Sequence, residues 1–158
     1  MSSVEAVTGA QRIAAAFAGH ERRAALMPYL MGGFPSTDQS LRVAQAYVDG
    51  GADLIEFGLP FSDPLADGPV IHGAAVDALG AGAVIDELLD GIAPVAAQVP
   101  VLVMTYWNVV ERFGVEAFVS RHQRTDAAEH RRLQQRHAEV IAKIHAVAQR
   151  RPEHAVVQ

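Results

Sequence analysis

Leu54-Ile55-Glu56-Phe57-Gly58-Leu59-Pro60-Phe61-Ser62-Asp63-Pro64-Leu65-Ala66-Asp67-Gly68-Pro69 is the stretch that decides the fold. A short apolar run delivers one carboxyl group, Glu56, and then breaks into a loop stiffened by Pro60, Pro64 and Pro69. Parallel α/β folds present their chemistry in this way, at the C-terminal edge of a buried strand. Asp63 and Asp67 follow within the same loop, so three acids lie close to one strand end. The stretch reads as an active-site loop.

Working outward, Ala24–Met31 is a second apolar run, bounded by Gly32-Gly33 and suited to a strand buried on both faces. Pro28 removes one ladder donor from it. Ser36 or Thr37 caps a helix over about 38–49, where Leu41, Ala44 and Val48 recur at helical spacing and Gly50-Gly51 closes the turn. A short helix over 9–19 precedes these elements. Downstream, Pro69 suits the first turn of a helix that runs to Gly80 or Gly82. Another helix covers about 84–97, and Pro94 is expected to bend it or end it early. Pro100–Thr105 is a third strand, emptying into Tyr106-Trp107-Asn108, and a further helix starts near Val115. Strands alternating with helices imply a parallel sheet with three strand ends on one edge.

Composition sets the outer bounds. The 158 residues are 50% hydrophobic and 20% charged, which suits a folded globular domain. No apolar run approaches the ~18 residues of a membrane span, and the first residues carry no basic-then-apolar leader pattern. The absence of cysteine removes disulfides and thiolate metal sites and fits a reducing cytoplasm. A net charge of −5 argues against nucleic acid as a partner.

That average conceals a break near Ser120. Residues 121–158 hold eight Lys+Arg and four Asp+Glu, leaving five basic and fourteen acidic residues in the first 120. All 13 glycines lie at or before Gly114 and all ten aromatics at or before Phe118. The tail reads as one amphipathic helix over about 126–150, with Leu133, Val140, Ile144 and Val147 on one face. His130 and His137 stand seven apart with no obvious third ligand, so a solvated face is expected there rather than a metal site.

Glu56-Phe57-Gly58-Leu59-Pro60-Phe61-Ser62-Asp63-Pro64-Leu65-Ala66-Asp67-Gly68-Pro69-Val70-Ile71 closely resembles a signature of the tryptophan synthase alpha-subunit family, E-x-G-x-P-F-S-D-P-x-A-D-G-P-x-I. Tyr29–Pro35 is similar to that family's first strand end, and Met104–Asn108 to its third. The resemblance covers residues from about 10 to 120. It implies part of a (β/α)8 barrel, about three parallel βα units within residues 1–120, followed by a helical tail at 121–158 foreign to the family. A complete barrel of this kind takes about 250 residues.

The resemblance also implies a lyase of tryptophan biosynthesis, cleaving indole-3-glycerol phosphate to indole and glyceraldehyde 3-phosphate, impaired here by the missing part of the pattern. Glu56 would shuttle protons, Asp67 would steady positive charge at the indole nitrogen, and Tyr106 would line the indole pocket. The bare residues leave a strand-end acid and a turn-forming aspartate as the alternative. Pro60, Phe61, Ser62 and Asp63 would meet a beta subunit in an alpha2-beta2 assembly. That partner, rather than this chain, would hold pyridoxal phosphate. Two rival readings are a silent fragment that only docks on the beta subunit and a non-functional remnant with open sheet edges.

Overall fold

The computed structural model describes residues 8–18 and 24–122. In chain order the elements are α1 (Gly9–Ala18), β1 (Tyr29–Met31), α2 (Thr37–Asp49), β2 (Ile55–Gly58), α3 (Pro69–Gly80), α4 (Ile85–Ala96), β3 (Val101–Met104), α5 (Trp107–Phe113) and α6 (Val115–His122). The three strands form one parallel sheet in the order β1-β2-β3. The helix expected over 126–150 lies outside the described residues, as do His130 and His137.

Strand alternation sorts the side chains into two layers. Leu30, Ile55 and Phe57 join Ala44 of α2, Leu88, Leu89, Ile92 and Val95 of α4, Val110 of α5 and Phe118 of α6 in the main core. Phe57 is fully buried at its centre, a burial that stabilises the fold by roughly 1.5–3 kcal/mol. The opposite face carries the register partners Tyr29 and Glu56, then Met31 and Gly58, with Leu102 and Met104 continuing each row on β3. α3 packs over the β1 side of that second face through Ala75 and Ala78 against Met31.

The local signals explain most boundaries. The Ser36 hydroxyl accepts from the Gln39 amide at 3.3 Å and caps α2. Pro69 occupies the first turn of α3, where its missing amide costs nothing. β1 is shorter than the apolar run because Pro28 has no amide to give. Its carbonyl still accepts from Glu56 at 3.0 Å, so the regular ladder begins one residue later. Pro94 does not end α4, which continues to Ala96. Buried Ile92 and Val95 on either side hold the last turn against the core. α5 was not expected as a separate helix; it starts directly after Tyr106 and is parted from α6 at Gly114, whose φ of 92° suits glycine alone. No helix among the described residues is long and apolar enough to cross a membrane.

Candidate active site

Glu56 sits inside β2 rather than at its last residue, half-buried and opposite Tyr29 on one side and Leu102 on the other. Parallel pairing makes these three side chains rise from the same face. Two residues further along that face stands Gly58. A Cβ at Gly58 would overlap the Tyr29 hydroxyl and come within 2.9 Å of its ring carbon Cζ. The Tyr29 ring therefore leans over bare backbone towards the C-terminal edge of the sheet, and the glycine makes that position possible.

The Tyr29 hydroxyl is buried and, among the described residues, has no hydrogen-bond partner. Burial, then the charge of Asp67, then the charge of Glu56 push its pKa from 10.0 up to about 12. The phenol thus stands in the field of both carboxylates at once. Asp67 reaches this position because it lies one residue before the Gly68 N-cap of α3, so the packed helix fixes where the loop returns to the sheet.

Tyr106 holds the loop from the β3 side. Its hydroxyl accepts from the Ala66 amide at 3.1 Å, and its ring lies 5.1 Å from that of Phe61, tilted by 37°. One side chain thereby pins both limbs of the loop that carries Asp67. Pro60 is buried and Phe61 half-buried, while Ser62 and Asp63 are exposed and Leu65 is 89% exposed. A cavity of about 400 Å³ opens on this flank, lined by Pro60, Phe61 and Ser62 together with Asn108, Arg112 and Phe113. Neither Glu56 nor Asp67 lines it. Residues of the loop after β2 and of α3, α4 and α5 line that cavity instead.

The charges of Glu56 and Asp67 both bear on Tyr29, and Tyr106 packs against the loop. Tyr29 is the residue that sequence reasoning left without a role. The available signal was its spacing: strand alternation puts it on one face with Met31, at the strand that runs into Gly32-Gly33. Among the described residues no group of three or more His, Asp or Glu side chains is arranged to hold a metal ion.

A sequence profile of the tryptophan synthase alpha chain matches residues 16–129. The chain belongs to this family. It is 50% identical over 101 residues to the tryptophan synthase alpha chain of Thermobifida fusca, covering 63% of this chain and 37% of that one. Against the alpha chain of Methanosarcina acetivorans the identity is 44% over 99 residues, covering 63% and 36%. Among solved structures, tryptophan synthase from M. tuberculosis superposes with a TM-score of 0.58 at 41% identity, over 63% of this chain and 41% of that chain. The alpha subunit from Legionella pneumophila gives 0.60 at 33% identity, over 63% and 39%. The chain thus spans well under half the length of these relatives, and its described fold is the corresponding part of their barrel.

Proposed function

We propose that this chain carries the carboxylate pair of the alpha-subunit lyase reaction, the cleavage of indole-3-glycerol phosphate to indole and glyceraldehyde 3-phosphate. Glu56 gives a proton to the indole carbon that bears the side chain and takes one from the adjacent side-chain hydroxyl. The carbon–carbon bond then breaks, its electrons restore the indole ring, and the hydroxyl carbon leaves as an aldehyde. Asp67 accepts the indole N–H and stabilises the cation formed by protonation. The observation that carries this reading is the shared field at Tyr29: carboxylates eleven positions apart in sequence act on one phenol. Proton transfer between carboxyl groups and substrate needs no cofactor in this chain, and the reading leaves pyridoxal phosphate in a beta-subunit partner.

No residue of this chain is assigned to the substrate phosphate, so remote binding energy that would hold the indole ring is missing and turnover is slow. Indole released by the purified chain, with and without a beta subunit, tests the reading. Weak release that disappears in both Glu56→Gln and Asp67→Asn supports it. Release that survives both substitutions refutes it. The second reading, docking without chemistry, is favoured by the cavity beside Pro60, Phe61 and Ser62. A change in beta-subunit activity with no indole release selects that reading over the first.

A further inference from the structure

We propose that Tyr29 is a specificity-determining residue whose hydroxyl donates a hydrogen bond to a hydroxyl oxygen on the side chain of the bound substrate. This inference rests on the lyase reading of Glu56 and Asp67 and adds a third polar contact to that site.

Three observations carry it. Among the described residues the phenolic oxygen is buried and unpartnered, and buried polar atoms nearly always have a partner, so this orphan donor calls for one that a ligand atom would supply. The ring is held over Gly58, where any larger residue would displace it, so its position is built into β2. The register places it directly across from Glu56 on the same face. A donor at this point serves an oxygen that Glu56 also reaches.

The surroundings select the chemistry of that oxygen. Asp67 and Glu56 both bear on the phenol, so a phosphate or carboxylate oxygen would meet like charge there. An apolar carbon would leave the donor orphaned. A hydroxyl fits both neighbours, accepting from Tyr29 while giving its own proton to a carboxylate. With its pKa pushed up to about 12, the phenol stays protonated and remains a donor throughout the neutral range. The matching substrate class is an indole bearing a hydroxylated three-carbon side chain, with the contact made to the hydroxyl that must become the aldehyde.

The test is a ligand titration of the purified chain followed by NMR, using indole-3-glycerol and 3-propylindole. Both lack phosphate, so an anion site plays no part in the result. The wild-type chain is expected to prefer the hydroxylated compound by roughly 5- to 10-fold, the scale of one neutral hydrogen bond. Tyr29→Phe is expected to erase that preference and leave 3-propylindole binding unchanged. In the wild-type chain, the Tyr29 Cζ resonance is expected to move with indole-3-glycerol and not with 3-propylindole, a readout that requires no variant. Equal wild-type affinity for the two compounds, or a preference that survives Tyr29→Phe, overturns the role of Tyr29 and leaves the lyase reading standing. Failure of both compounds to bind overturns both.

Discussion

Tyr29 and Glu56 are register partners across the parallel β1–β2 pair, and their side chains rise from one face of the sheet. Burial, Asp67 and Glu56 all favour the neutral phenol in the fold. A folded pKa above the unfolded value means that the contribution is complete below pH 10 and is lost as pH rises from 10 towards about 12. The stability of the wild-type chain relative to Tyr29→Phe should therefore fall across that window and stay flat below it. Urea titrations of both proteins at a series of pH values check this, alongside phenolate absorbance assigned by difference. A constant gap between the two curves through pH 12 sinks the prediction.

Gly58 is the next point of leverage. Its missing side chain is the space that the Tyr29 ring fills. Gly58→Ala should force ring or backbone to move at an overpacking cost of about 1–3 kcal/mol. Tyr29→Ala relieves the overlap, so the double variant should cost less than the two single changes added together. Denaturant midpoints for the four proteins give the coupling, and strict additivity would show that the ring is free to leave.

Tyr106 holds a loop rather than a strand. Removing its hydroxyl in Tyr106→Phe deletes the acceptor for the Ala66 amide and keeps the ring beside Phe61. Because that bond is exposed, the global cost should be small, about 0.5–1 kcal/mol. Exchange of the Ala66 amide with deuterium should accelerate roughly 5-fold while core amides on β2 stay unchanged. An Ala66 amide that exchanges at the wild-type rate shows that something other than Tyr106 protects it.

The difference between what could be read from the letters and what could not follows from where each restraint acts. Ser36, Pro69 and Gly50 act within a turn or two of their own position, so α2 and the start of α3 were legible before any coordinates. The three apolar runs with helices between them implied the parallel sheet for the same reason. β1 came out shorter because one missing amide at Pro28 matters only once its partner strand is known. Pro94 was expected to bend α4 or end it early, yet the helix runs on to Ala96, where burial of Ile92 and Val95 outweighs one lost hydrogen bond. At the site, Glu56 and Asp67 were visible as acids around a stiff loop. Tyr29 showed only its strand alternation, because its pairing with Glu56 and its place over Gly58 depend on a register across strands and on a glycine 29 positions away. The contacts of Tyr106 with Phe61 and Ala66 were not legible, because they arise only when the loop folds back onto β3.

Arg121 gives the last prediction, at the far side of the sheet from the carboxylates. Its guanidinium pairs with both Asp86 and Asp90, one turn apart on α4, and the contact to Asp90 is 3.1 Å. Two acids at that spacing repel one another on a helix face, and the single cation between them changes the sign of the interaction. The three side chains remain between 29% and 51% exposed, so solvent screens the pairs and their joint contribution should be about 1 kcal/mol. Arg121→Ala should lower stability by that amount in dilute buffer. At about 1 M salt the Debye length falls to ~3 Å, and the gap between wild type and variant should shrink to a few tenths of a kcal/mol. A gap that ignores salt would mean that the aliphatic stem of Arg121, which shares a lining with Phe113 and Ala117, supplies the stability by packing. In that case Arg121→Met, which keeps a stem and drops the charge, should match wild type at every ionic strength. If charge is the cause, Arg121→Met should instead fall with Arg121→Ala in dilute buffer, and Arg121→Lys should recover part of the loss.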